Sequence, residues 1–270
     1  MIKFIKPILI MGFLTLFTSC TSDDNKDSKK DPKNTELIVP TSMSILYPKN
    51  GDVANHYTFE YTDENSTIIS KVNITFFNSK TESITHIYDE GKLVEFQSLY
   101  EGKSSTTNIK YDNDNRITSI KGNSPYFLKY NKVGLITSII PYQENNDTYY
   151  SFSYNNAKSI TKSEILDRGK STGTFTTFEY DNKNTPFKNA NVKMDLMNQY
   201  DILSTTMFNQ ENNHNINKIT HNYSQGDITS FTYDYTYNTN EYPTRVIKTL
   251  VGTGVESIIT YEYKTITITE

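Results

Sequence analysis

Apolar and polar residues alternate strictly along much of this chain. Phe231, Tyr233, Tyr235 and Tyr237 take every second place, with Thr232, Asp234 and Thr236 between them. Tyr150, Phe152 and Tyr154 repeat the pattern, as do Ile259, Tyr261 and Tyr263. A period of two sends successive side chains to opposite faces of a strand. One packed face and one wet face is the pattern of an antiparallel sheet. The residues that fill these segments, Thr, Tyr, Ile, Val and Phe, are all good strand formers.

A recurring unit punctuates the alternation: a tyrosine, then Asp or Asn, a short turn, and an apolar return. It reads Tyr88-Asp89, Tyr111-Asp112, Tyr130-Asn131, Tyr154-Asn155, Tyr180-Asp181 and Tyr237-Asn238, with looser copies at Tyr61, Phe208 and Tyr263. Neighbouring anchors lie 19 to 29 residues apart. Such a period marks an array of supersecondary units, each too small to bury its own apolar face. Four places after an anchor stand Asn65, Asn115, Gly134 and Asn184, and Gly91 follows Tyr88 by three. Gly and Asn tolerate positive φ, and Asp or Asn can bond its own backbone, which predicts hairpin turns of three to five residues. The returns are Ile117-Thr118-Ser119-Ile120, Ile136-Thr137-Ser138-Ile139 and Val246-Ile247. The expected fold is all-β: an antiparallel meander of repeated hairpins in one large twisted or curled sheet, an open barrel or shell. Residues 190–203 (ANVKMDLMNQYDIL) break the rhythm, with Met194, Leu196 and Met197 at mixed spacing. A short helix or irregular insertion is expected there, either filling one end of the core or serving as a lid.

Composition narrows the class. Hydrophobic content is 35%, but 21 Tyr and 14 Phe supply a core that a disordered chain would lack. A net charge of −4 and no long basic run outside the N-terminal region argue against nucleic-acid binding. The single Cys excludes an intramolecular disulfide framework.

The N-terminus reads as a targeting device. Lys3 and Lys6 precede an apolar run from Ile8 to Phe17, too short to span a membrane. Cys20 follows the small residues Thr18 and Ser19. Residues 1–19 resemble a bacterial lipoprotein signal, although Phe17 stands where Leu is usual; that resemblance implies lipidation of Cys20. Residues 21–36 carry mixed charge and no apolar side chain, so 20–36 is read as a lipidated Cys and disordered tether. The β domain then spans 37–270. Acyl chains on Cys20 would hold the protein at a membrane. Ser22-Asp23-Asp24 resembles the surface-export signal of Bacteroidota lipoproteins, which implies the outer membrane, facing the exterior, with the periplasmic face as the alternative.

Tyr111 to Ile120, read as Tyr-Asp-Asn-Asp-Asn-Arg-Ile-Thr-Ser-Ile, resembles the YD repeat of RHS-type proteins, usually Y-D-x-x-G-R-L-T-x-I. Tyr130 to Ile139 is a second match, with Gly134 in the glycine place. Over residues 55–265 the chain is similar to Bacteroidota lipoproteins with degenerate YD-like repeats. Asn184-Thr185-Pro186-Phe187-Lys188-Asn189, Tyr242-Pro243-Thr244-Arg245 and Thr260-Tyr261-Glu262-Tyr263-Lys264 are shared with them. RHS shells that enclose a toxin need far more repeats than the nine anchors here, so no toxin role is carried over.

Catalytic signals are sparse. His56, His86, His214 and His221 have no metal-ligand spacing, so no metal or cofactor is expected. Asp112-Asn113-Asp114-Asn115 lacks the Gly and Glu of a calcium loop and reads as a turn. No serine-hydrolase elbow is present, and no particular carboxylate pair is marked for glycoside hydrolysis. The expectation is a non-catalytic binding or interaction protein with a glycan or envelope protein as partner, against a purely structural envelope component or a glycan-processing enzyme. Phe231, Tyr233, Tyr235 and Tyr237 are the candidate binding surface if that stripe is exposed, and core if it is not.

Overall fold

The computed structural model describes residues 34–51, 53–122, 125–141, 147–190 and 214–269. Sixteen strands pair in sequence order: β1 (Asn34–Tyr47), β2 (Val53–Tyr61), β3 (Ile69–Thr75), β4 (Thr81–Asp89), β5 (Lys92–Tyr100), β6 (Lys103–Tyr111), β7 (Ile117–Lys121) and β8 (Tyr126–Tyr130). They continue as β9 (Ile136–Pro141), β10 (Thr148–Tyr154), β11 (Ile160–Asp167), β12 (Lys170–Tyr180), β13 (Ile216–Asn222), β14 (Ile228–Tyr237), β15 (Pro243–Leu250) and β16 (Gly254–Thr269). β16 then pairs antiparallel with β1, from Asn34↔Thr269 to Leu46↔Ile258, and the meander closes. The open sheet expected from the repeat is thus a closed barrel; closure satisfies the two edges that an open meander would leave unpaired. β1 begins at Asn34, so residues 34–36, read as tether, already pair with β16. Cys20, Phe208 and residues 191–203 of the insertion lie outside the described residues.

Each motif position has a defined task. Eight tyrosines, Tyr61, Tyr88, Tyr111, Tyr130, Tyr154, Tyr180, Tyr235 and Tyr263, donate their hydroxyls to backbone carbonyls of the neighbouring hairpin at 2.6–2.8 Å. In most hairpins the acceptor is the ladder partner of the previous tyrosine. Tyr111, for example, pairs with Ile117, whose carbonyl accepts from Tyr130. The bonds run round one rim until Tyr61 reaches the carbonyl of Pro40, the ladder partner of Tyr263. The Asx residue closes the loop that follows. Asn131 Oδ1 accepts from the N–H of Val133 and of Leu135, and Asp112 Oδ1 accepts from Asp114 and Arg116 in the same way. The fourth residue after the tyrosine takes positive φ at Asn115 and Gly134 as expected, and also at Lys158 and Glu241; Asn65 and Asn184 do not. Asn65 lies in a longer loop closed from Thr62 to Ile68, and Asn184 leads into a different segment.

The Thr of the motif completes the unit. A bulge follows each of these turns, and the unpaired residue's hydroxyl donates to the carbonyl just before the tyrosine. Thr118 reaches Lys110 O, Thr137 reaches Lys129 O, Thr161 reaches Ser153 O and Thr244 reaches Thr236 O, at 3.2–3.3 Å. A carbonyl that the bulge leaves without a ladder donor is thereby satisfied.

Along β2 and β16 apolar side chains predominate inside the barrel and polar ones outside. On β2, Asn55, Tyr57 and Phe59 are buried while His56, Thr58 and Glu60 are exposed. On the far side of the seam Ile259 and Tyr261 are buried, and Thr260 and Glu262 are exposed. Polar pairs cover the outer wall, such as Ser42–Glu262 and Asn73–Glu60. A membrane-spanning barrel carries the reverse pattern, an apolar outer band around a polar interior. The outer faces of these strands do not carry such an apolar band.

Candidate functional site

The two rims differ. At the rim where even-numbered strands end, the tyrosine ring, the Asx loops and a strap formed by residues 184–190 close the interior. Phe187 of the strap packs edge-on against Phe59, with ring centroids 5.3 Å apart. Asn189 Nδ2 donates to the carbonyl of Ile38 and to the hydroxyl of Tyr242. Asn184 is tied to the 238–242 turn through Glu241 O and Asn240 O. The strap coincides with the one irregularity of the ring. On β14 the tyrosine that bonds the neighbouring hairpin is Tyr235, while Tyr237 occupies the bulge pairing opposite Pro243. Tyr237 therefore turns to Asp181, donating to its Oδ2, and buried Asn215 donates to the same carboxylate and to Asn184 O. Burial, reinforced by the Asp181 carboxylate, pushes the Tyr237 hydroxyl pKa upward. Burial raises Tyr130 to about 12 in the same ring.

Among the described residues no strap crosses the opposite rim, where odd-numbered strands end, which we term the mouth. Residues directly opposite in a ladder share a face, so inner-face rows can be followed strand to strand. One row runs Phe152, Ser163, Thr176, His221, Thr229 across β10 to β14. None of these five is fully buried, although all face inward. Tyr150, paired with buried Ile139, also faces inward and is 41% exposed. Thr176 Oγ1 and His221 Nδ1 share a hydrogen bond of 2.9 Å. One rung deeper, Phe231 meets the His221 ring edge-on at 5.9 Å. Lys248, opposite Tyr233 on the inner face, holds its ammonium 4.3 Å from the Phe231 ring centroid. On the facing wall, inward Glu82 accepts a hydrogen bond from Ser98. Among the described residues, the mouth thus combines inward hydroxyls, aromatic rings and an ammonium group.

Of the stripe singled out by its alternation, Tyr233 is 3% exposed and belongs to the core. Tyr235 belongs to the closed rim, where it stacks on Tyr237 at 5.7 Å. Phe231 alone of the four reaches the mouth, half-buried beneath Lys248. The stripe lines the interior because strand parity puts all four on the face of Val246 and Ile219, both buried. The mouth residues Thr176 and Lys248 were not singled out in the sequence. Lys248 was detectable: it occupies an inward place two residues after Val246, where alternation calls for an apolar side chain.

Among the described residues no cluster of His, Cys, Asp or Glu is arranged to hold a metal ion. Among the described residues no helix is long and apolar enough to cross a membrane. No family model and no curated protein matches the sequence. Solved structures with some likeness include a porin-like protein from Bacteroides uniformis, at 16% identity over 83% of this chain and 98% of that one, TM-score 0.39. A porin-like protein from Bacteroides vulgatus shares 13% identity over 84% and 99%, TM-score 0.43. The Photorhabdus luminescens Tc holotoxin pore shares 12% identity over 77% of this chain and 8% of that one, TM-score 0.25. Identities and TM-scores this low transfer nothing about function.

Proposed function

We propose that this is a lipid-anchored protein of the outer membrane, displayed on the cell surface, that binds a glycan non-catalytically in the mouth of its barrel. The observation that carries the binding role is the inner-face row from Phe152 to Thr229, which stays partly open to solvent while the opposite rim is closed. Aromatic rings flanked by hydroxyls suit the C–H faces and hydroxyls of sugars. Among the described residues whose ladder places them on the inner face at this end, Glu82 is the carboxylate away from the rim, and glycoside hydrolysis uses two. The anchor rests on Cys20 and the signal that precedes it, and the surface placement on Ser22-Asp23-Asp24. The polar outer wall supports attachment by lipid rather than by spanning strands.

The full chain, purified in detergent, should bind one class of glycan saturably in a screen of neutral and charged oligosaccharides. Phe152→Ala should weaken that binding without shifting the melting transition by more than a few degrees. A screen in which no glycan binds would overturn the binding reading. Cys20→Ser should release the protein from membranes; retention of the variant would refute the anchor.

A further inference from the structure

The seam between β1 and β16 runs past the closed rim. β2 pairs with β1 only from Ser42 onward, and β15 pairs with β16 only up to Thr260. Residues 34–40 and 263–269 therefore form a two-stranded ribbon with a free edge on each side. Alternation in the ladder decides which groups those edges offer. The carbonyls of Ile38 and Pro40 point away from β16, where they accept from Asn189 Nδ2 and the Tyr61 hydroxyl. Their ladder partners Thr265 and Tyr263 then turn their own backbone groups away from β1. Thr267 and Thr269 do the same by the period of two.

The two edges are unequal. On β1 two carbonyls are already held by the strap and the tyrosine ring, and Glu36 puts a charge beside them. On β16, Thr265-Ile266-Thr267-Ile268-Thr269 has no charge, no proline and no bulge, the devices that ordinarily keep an edge from pairing. Thr265, Thr267 and Thr269 are exposed, while Ile266 is buried. Among the described residues no further backbone hydrogen bond reaches this edge.

We propose that this edge of β16 pairs antiparallel with the same edge of a second copy of the chain. The segment is its own complement. Pairing centred on Thr267 sets threonine opposite threonine and isoleucine opposite isoleucine, with no like charges face to face. The two copies are then related by a two-fold axis, use the same surface, and close the contact between them. Main-chain groups of Thr265, Thr267 and Thr269 supply the affinity, as in other strand additions. The pairing is independent of what the mouth binds.

The test is sedimentation equilibrium of the full chain in density-matched detergent, which reads protein mass alone. That mass should rise with concentration from one chain to two. Thr267→Pro removes an N–H from the free edge but none from the ladder to β1. It should leave single chains with a melting temperature near that of the native protein. Thr267→Lys should also leave single chains, by setting two ammonium groups face to face. Should the proline variant unfold, the lysine variant decides. Thr260→Lys, on the same strand but paired on both sides, should keep the two-chain mass, which separates the edge from a general effect of charge. A two-chain mass retained by the Thr267 variants would overturn the proposal, as would a single-chain mass for the native protein at every concentration. In the latter case, binding of a synthetic peptide of residues 264–269 would show that the edge takes a strand from another protein instead.

Discussion

The two rims of this barrel are built from the same hairpin repeat, yet one is closed and the other open. At the closed rim the repeats at Tyr111, Tyr130, Tyr154 and Tyr237 each contribute an Asx loop and a bulge hydroxyl beside the tyrosine ring, and these groups bond backbone that would otherwise lack a partner. At the mouth the described turns do not repeat this unit. Glu101-Gly102 and Arg168-Gly169 are two-residue hairpins with both residues at positive φ, whereas the Phe76–Lys80 and Tyr223–Asp227 turns hold five residues. Phe77 and Ile228, 60% and 66% exposed, lie at these mouth-side turns. A repeat that invests its invariant features in one rim leaves the other free to vary, and variable loops on a rigid frame are where binding is commonly found.

The contrast can be broken most severely at the strap. Phe187→Ala removes a buried ring from contact with Phe59 and should cost about 3 kcal/mol of stability, read from thermal or urea unfolding. Ligand affinity measured below the transition should stay unchanged. A parallel loss of affinity would show that the rims are not independent.

Alkaline titration addresses the whole ring. Burial raises Tyr130 to about 12 and pushes Tyr61, Tyr235 and Tyr263 up as well, against an unfolded value near 10. Because the folded state keeps these protons longer, the stabilisation is complete below about pH 10 and is lost as pH rises beyond it. Unfolding should therefore coincide with phenolate absorbance as the pH climbs from about 10 through 12. Ionisation of the ring tyrosines themselves on the intact fold would refute the ring as a structural element.

Single hydroxyls come next in size. Tyr154→Phe deletes one donor to Ile136 O and should cost about 1 kcal/mol. Thr176→Val at the mouth should stay within about 0.5 kcal/mol in stability while weakening glycan binding. The smallest effect is at a loop: Lys158 sits at φ 62°, and Lys158→Gly should raise stability by about 0.5 kcal/mol, detectable as a small rise in the melting temperature.

Much of the architecture was readable in the chain because it is local. The alternation at Tyr150, Phe152 and Tyr154 set strand parity, and the Tyr-Asx pairs marked the even-strand turns at 111, 130 and 154. Closure was not readable. Pairing of β1 with β16 joins segments more than two hundred residues apart, and nothing local to Val39 or Lys264 names its partner. The mouth was hidden for a related reason. Thr176, His221 and Lys248 are unremarkable within their own strands and meet only through registers carried across several ladders. The members of the aromatic stripe on β14, Phe231, Tyr233, Tyr235 and Tyr237, share a face but occupy four depths, from mouth to closed rim, and alternation alone gives no depth.

The pairing of first strand with last also constrains how the molecule is made. Each hairpin can form as soon as its own two strands exist, but the cylinder cannot shut until the final residues are available to meet the first ones. Such long-range closure is the slow step in folding. A chain delivered unfolded across a membrane, N-terminus first, would hold β1 in waiting until β16 emerged. On the proposed reading its lipid anchor would already be in place, and the sixteen residues of β16 would act as the clasp that shuts the cylinder.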